Sequence, residues 1–571
     1  MVLSGAVTSE DTRASEIGTQ IISAGGNAVD AVIATIIAIN TLCPYHSDLG
    51  GGGFAILRTI QGEYKSLNFR HTAPGKADSE FYKDPNISTS IGGSSVAVPG
   101  EIKGLEELHK NYGKLPWENL FKPSIELAEN GFEVKQDLHN FITAACNPPG
   151  STNLKGSWME NDPSFSSLFI DNQAIPLGYL WRRPEYAKTL KKLAKEGSEV
   201  FYNGEIAQAI VKIVNEKGGL MTLDDLKNYT VEWNEPISID LEDYTIWSVP
   251  APASGAIFLS ALGMLDQFEH KGEGSIEDLH ILTEALRLAY GQRTLLGDPN
   301  FVPGLKEIQL SWLQPESIKE RSKLITDQTH PPDYYKPPKV EIVNDNGTSN
   351  ITVADSNGMV ISITTTVGLG WGSRIMVPNF GFILNDSMDD FSIKGRPNGT
   401  GYEPQIANYV IGGKRPLSSS CPYIINYKKN KKPFASGGSA GSSTIISTNI
   451  QIVRNLLKYK LNNFNAIDYL KLNRLHNQIL PNYTILEKSS IHQNILIKGF
   501  IKEQEIELKK KGHNIKWIEK NQSLPVLIKF DYDSNSNSNS NSKEEQVKWQ
   551  VAAEPRRNDT GGSIFIAPKE D

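Results

Sequence analysis

Near the middle of the chain two β-rich runs, residues 351–354 and 359–366, flank the turn triplet Ser356-Asn357-Gly358. That arrangement commits the segment to an antiparallel hairpin. Upstream, Val343-Asn344-Asp345-Asn346-Gly347 is turn chemistry rather than strand. With the three turn residues as the loop, Asp355 pairs with Met359, and counting outward sets Thr348 opposite Thr366; a two-residue loop shifts every pairing by one. The pattern suits a plain edge hairpin with surface threonines. It also suits a threonine nucleophile. A threonine hydroxyl is weak until a base takes its proton, and one such base is the threonine's own α-amino group, freed by cleavage of the preceding peptide bond. Thr348 is then a hidden N-terminus, and Thr366 a side chain able to hold its hydroxyl.

Several motifs raise the second reading above the first. Gly347 through Met388-Asp389-Asp390-Phe391-Ser392, the hexapeptide Lys414-Arg415-Pro416-Leu417-Ser418-Ser419, and Gly438-Ser439-Ala440-Gly441-Ser442-Ser443 stand in that order. Gly25-Gly26-Asn27-Ala28-Val29-Asp30-Ala31, Gly50-Gly51-Gly52-Gly53-Phe54, Arg70 with Ala73-Pro74, Val96-Ala97-Val98-Pro99-Gly100 and Leu296-Gly297-Asp298-Pro299 precede them, and Glu554-Pro555-Arg556 closes the series. Together they resemble the γ-glutamyltransferase (γ-glutamyltranspeptidase) family over nearly the whole chain. The resemblance implies an α+β, four-layer αββα sandwich, the N-terminal nucleophile hydrolase fold. It implies self-cleavage into two intertwined subunits, residues 1–347 and 348–571, and a heterodimer of the chain's own two fragments. The implied substrates are small molecules: glutathione and other γ-glutamyl compounds, with amino-acid or dipeptide acceptors.

Composition narrows the alternatives. The chain has 571 residues, a formal net charge of −7 and an isoelectric point near 5.9, which argues against a nucleic-acid partner. Hydrophobic content of 39% and charged content of 22% fit a globular protein. Cys43, Cys146 and Cys421 form no Cys-x-x-Cys pair, and the few histidines show no pair at ligand spacing, so no metal and no cofactor is expected. The longest apolar run, residues 31–43, is too short to span a membrane and contains Asn40. No secretory signal is visible, because strand character begins at residues 2–7; the resembling family usually carries a leader or anchor, so a cytosolic protein or a missing upstream segment is expected.

Helical patterns occupy residues 15–24, ended by Gly25-Gly26, and a segment capped by Asn27 that runs to about residue 41. Others cover 105–129, 183–195, 206–217 and 276–295; strands dominate after Gly347, with helices near 443–459 and 500–511. Gly50-x-Gly52-x-x-Ala55 mimics a dinucleotide fingerprint but neither follows a strand nor opens a helix. The Ser-Asn repeat at 534–542, between strand-like runs, reads as a disordered loop.

Carried onto matching positions, the resemblance makes Thr348 the nucleophile, held by Thr366. Arg70 becomes a carboxylate clamp and Asp390 the partner of an α-ammonium, with Asp389 structural. Ser418 and Ser419 also bind the carboxylate, and Ser387 lines the site. Gly441 and Ser442 supply backbone N–H groups to an oxyanion. The chain departs from the family pattern at Asp48, His71, Asn350, Gly368, Ser387 and Ser442. Glycine at 368 and serine at 387 remove two usual ammonium ligands, which leaves room for a threonine amidase of altered acyl preference, such as a cephalosporin-acylase-like enzyme, or for a weakly active paralogue. A different reading takes Gly437-Gly438-Ser439-Ala440-Gly441 as the Gly-x-Ser-x-Gly nucleophile elbow of a serine hydrolase, with Asp468 and His476, His492 or His513 completing a triad.

Overall fold

A computed structural model describes residues 3–272, 274–335, 348–396, 404–458, 464–521, 523–532 and 547–567. Two antiparallel sheets form its centre. In chain order their strands are β1 (Ser4–Ser9), β2 (Gly52–Arg58), β3 (Tyr64–Phe69), β4 (Glu232–Asn234), β5 (Ile237–Leu241), β6 (Tyr244–Ser248), β7 (Ser349–Asp355), β8 (Val360–Thr366), β9 (Tyr423–Tyr427), β10 (Pro433–Ala440), β11 (Leu524–Tyr532), β12 (Val547–Ala553) and β13 (Gly561–Ile566). The first sheet runs β13-β1-β7-β8-β2-β3-β4 and the second β12-β11-β10-β9-β6-β5. Each therefore mixes strands from before residue 347 with strands from after it.

Period-two alternation explains why these strands are apolar on both faces. On β2, Phe54 and Ile56 point between the sheets, where they meet Ile424, Ile528 and Phe530. The intervening Ala55 and Leu57 face a helical layer. That layer is α1 (Thr12–Ser23) and α2 (Ala28–Leu42), and the opposite one is α3 (Gly255–Asp266), α4 (Ile276–Arg293) and α5 (Thr444–Lys458) against the second sheet. Layers of helix, sheet, sheet and helix give the expected αββα sandwich.

Most local expectations hold. Asn27 caps α2 in a capping box with Asp30. The Ser356-Asn357-Gly358 turn sets Ser349 opposite Thr365 and Ala354 opposite Val360, the three-residue-loop register. Three details differ. The first strand is Ser4–Ser9 rather than 2–7. α1 begins at Thr12, three residues early, because the Asp11 side chain accepts the Arg13 N–H. The single helix expected over 105–129 is two, Glu101–Tyr112 and Lys122–Asn130, broken at Gly113 and Pro116. The Ser-Asn repeat lies outside the described residues. Among the described residues no helix is long and apolar enough to cross a membrane.

Candidate active site

Thr348 stands one residue before β7, buried, and the hairpin register carries it opposite Thr366 at the end of β8. The Thr366 hydroxyl oxygen accepts the Gly368 N–H at 2.8 Å. Behind Thr348, the Ser349 hydroxyl donates to Glu10, whose other oxygen meets His46 Nδ1 at 2.8 Å. All three are buried. Sequence reasoning missed Glu10, because a lone acid between a strand and a helix carries no local signal. Gly50 lets the next layer close: a Cβ there would lie 2.2 Å from the Ile383 carbonyl, and the Gly50 carbonyl accepts Asn385 Nδ2 at 2.8 Å. This seats the 385–390 segment against the head of the first sheet.

Arg70 follows β3 and is 1% exposed. Its N–H donates to Asn68 Oδ1 at 3.0 Å and its carbonyl accepts the Tyr229 hydroxyl at 2.9 Å. Its guanidinium forms an ion pair with Asp390 and reaches the Leu417 carbonyl at 3.4 Å through Nη2, while Nε is buried without a hydrogen-bond partner. Asp390 ends the 3₁₀ turn Ser387–Asp390. Asn408 ties that turn to the serine loop, donating to the Asp390 carbonyl at 2.8 Å and accepting the Leu417 N–H at 3.0 Å. Ser418 donates its hydroxyl to Ser420 at 3.0 Å, and Ser419 accepts Arg293 Nη2 at 3.0 Å. Asp389 accepts the Thr89 hydroxyl, a structural contact. Sites separated by more than three hundred residues in sequence, Arg70 and Asp390, thus meet in one buried pair.

Departures from the family pattern meet each other. The Ser387 hydroxyl lies 3.0 Å from His71 Nδ1. Burial and the Arg70 charge hold His71 well below the usual histidine value, so it is neutral. Asp48 is neutralised by Arg183 at 3.2 Å, although burial still lifts it to about 6. Gly441 (φ 114) and Ser442 (φ 66) form the turn between β10 and α5. Ser442 takes a left-handed conformation that glycine would accept more readily, so its backbone follows a glycine's path at a cost of about 1 kcal/mol.

Glu101 lies under the hairpin and accepts the Thr365 hydroxyl at 2.6 Å. Burial lifts its carboxyl from 4.5 to about 7. The folded state then binds the extra proton, so the contribution to stability is fully present below the unfolded value and is lost as pH rises towards about 7. Glu101→Gln should therefore stabilise the protein by roughly 2–3 kcal/mol near about pH 8 and by little near about pH 4.5. Urea unfolding midpoints at the two pH values check this, and an equal gain at both would count against the buried, protonated carboxyl.

The serine-hydrolase reading fails on geometry. Ser439 lies inside β10 rather than on a turn, and its hydroxyl donates to Asn449 Oδ1 at 2.6 Å. His476 meets Ser447 and Gln478, His492 meets Ser490, His513 meets His280, and Asp468 caps the helix Ala466–Lys471. Ser439→Ala should cost about 1 kcal/mol of stability and leave kcat within about twofold of the parent, measured by melting and by turnover of a chromogenic amide.

The expectation of no ligand-spaced histidines needs correction. His280 and Glu284, one turn apart on α4, come together with His513, with ligand atoms within 4.8 Å. The two imidazoles are hydrogen-bonded to each other at 2.8 Å, closer than the roughly 3.3 Å that separates two ligands of one zinc ion. Arg287 and Lys511 place positive charge beside them. We read the trio as a hydrogen-bonded pair within a structural network.

The gamma-glutamyltranspeptidase family model matches residues 14–563. A glutathione hydrolase proenzyme of Arthroderma benhamiae is 38% identical over 85% of this chain and 83% of its own length. A glutathione hydrolase of Aspergillus flavus is 34% identical over 98% of this chain and 90% of its own. The solved structure of a cephalosporin acylase from Bacillus halodurans superposes with a TM-score of 0.81 at 25% identity, covering 98% of this chain and 96% of that one. The four layers are those of an N-terminal nucleophile hydrolase, and by sequence, fold and length this chain belongs to the gamma-glutamyltranspeptidase family.

Proposed function

We propose that the chain is a self-processing γ-glutamyltransferase and glutathione hydrolase. The observation that carries this reading is the register that sets Thr348 opposite Thr366 on the segment bonded to the Asp390 turn. In the precursor the Thr348 hydroxyl attacks the Gly347 carbonyl. The peptide nitrogen leaves as the new α-amine, an ester forms, and water hydrolyses it. In the mature enzyme that amine takes the hydroxyl proton as the oxygen attacks a γ-glutamyl amide, and the proton passes to the departing amine. The γ-glutamyl ester is then resolved by water or by the amine of an amino acid or dipeptide. The amides of Gly441 and Ser442, at the N-terminal end of α5, face the oxyanion. Arg70, whose Nε awaits an acceptor, receives the substrate carboxylate together with Ser418 and Ser419; Asp390 receives the ammonium, and Ser387 lines the site through His71. Residues 1–347 and 348–571 remain together as a heterodimer.

The relatives named glutathione hydrolase support this substrate class. The likeness to a cephalosporin acylase supports a second reading, the same nucleophile with another acyl preference. Intact-mass analysis of denatured protein, paired with turnover of L-γ-glutamyl-4-nitroanilide and glutathione, separates them. Two fragments split between Gly347 and Thr348 together with turnover are expected. Self-cleavage without γ-glutamyl turnover favours the acylase reading, and an unbroken, silent chain favours an inactive paralogue.

A further inference from the structure

Gly368 has φ +97, and a Cβ built on it would fall 1.7 Å from Asp386 Oδ1. The space that a side chain at 368 would fill is held by the Asp386 carboxylate instead. Asp386 is fixed through backbone and side chain: its N–H donates to the Val367 carbonyl at 3.0 Å, and Oδ1 accepts the Leu369 N–H at 2.9 Å. The other oxygen, Oδ2, is buried with no hydrogen-bond partner in a residue only 2% exposed. Burying a polar atom unpaired is costly and calls for an occupant. Asp390 and Asp389 stand on the same turn as acidic neighbours, and Arg374 is the basic group in electrostatic reach.

A second buried atom is orphaned in the opposite sense. Arg70 Nε is a donor without an acceptor, on a guanidinium already tied to Asp390. A cation with a spare donor and a carboxyl with a spare oxygen, both adjoining Asp390, fit the two ends of one α-amino-acid head group: carboxylate to Arg70, ammonium to Asp386 beside Asp390. Burial and the Asp390 charge hold the Asp386 carboxyl well above the usual carboxylate range, and an ammonium seated against it favours the ionised form. His71, neutral, adds no repelling charge. We propose that Asp386 is the residue that selects acyl groups carrying an α-ammonium and refuses glutaryl groups, which have the same carboxylate and the same scissile amide but no amine. The inference rests on the reading of Arg70 as the partner of the substrate's carboxylate. A glutaryl substrate leaves Asp386 Oδ2 buried and unpaired, and sites built around a polar group reject analogues that lack it.

The test compares L-γ-glutamyl-4-nitroanilide with glutaryl-4-nitroanilide on matured parent and Asp386→Asn proteins. Asparagine keeps the acceptor for Leu369 and removes the ionisable group. The expected result is a fall of at least about tenfold in the γ-glutamyl to glutaryl ratio of kcat/KM, carried mainly by KM for the γ-glutamyl substrate. An unchanged ratio overturns the proposal. Arg70→Lys, run in parallel, should weaken both substrates together. If it weakens neither, the head-group reading itself fails, whatever Asp386→Asn shows. Should Asp386→Asn not mature, Asp386→Ser takes its place in the same comparison, and an unchanged ratio there overturns the proposal.

Discussion

Thr348→Ala is expected to remain a single 63.0 kDa chain and to lose γ-glutamyl turnover by at least about 10⁴-fold. Two losses combine. The methyl group of alanine cannot attack the Gly347 carbonyl, so the α-amine is never released. Without that amine and without the hydroxyl, neither base nor nucleophile exists. The fold should survive, because residue 348 precedes β7 and the ladder from Ser349 onward is untouched. Thr348→Ser keeps a hydroxyl and should still cleave. Intact mass and a chromogenic assay on the same preparations check both variants. Fragments split between residues 347 and 348 in the alanine variant would remove Thr348 from the chemistry.

Asp390→Asn is expected to produce the second largest change. Asp390 and Arg70 are both buried, and breaking such a pair by removing one charge costs about 3–5 kcal/mol. The loss should divide between stability and binding. The guanidinium left without its counter-ion lowers the unfolding midpoint, and the γ-glutamyl donor loses a charged partner, so kcat/KM falls by about 10²–10³-fold. A melting curve and a Michaelis–Menten series on the matured protein read the two parts separately. A variant that matches the parent in both would show that the pair neither supports the fold nor meets the substrate.

The hairpin was legible because turn chemistry acts over three residues: Ser356-Asn357-Gly358 fixes a register that reaches out to Thr348 and Thr366. Asn27 was legible for the same reason, its cap being written within four residues. What local pattern could not show was which distant residues meet. Asn408 joins the Asp390 turn to the serine loop, and Glu10, after β1, reaches Ser349 at the start of the neighbouring β7. Asp386 was hidden in another way. In sequence it is one of three acids in the run from Asp386 to Asp390, and only the absent side chain at Gly368 shows what its carboxylate occupies. The helix read over 105–129 failed because apolar spacing continues across Gly113 and Pro116 while the backbone does not.

The order of strands in the two sheets has a consequence for what the proposed cleavage before Thr348 would leave behind. In the first sheet β7 and β8 are sandwiched between β1 and β2, and in the second β9 pairs with β6. A break before Thr348 leaves both pieces stitched through the same hydrogen-bonded ladders, so they separate only by unfolding. Before the break, the two halves find each other at the high effective concentration of a single tether. After it, a denatured molecule must meet its other half by diffusion, and recovery slows in proportion to dilution. Cleavage at that point would convert a reversible folding problem into a one-time assembly, in which the precursor carries the instructions for building and the cleaved protein keeps only the result.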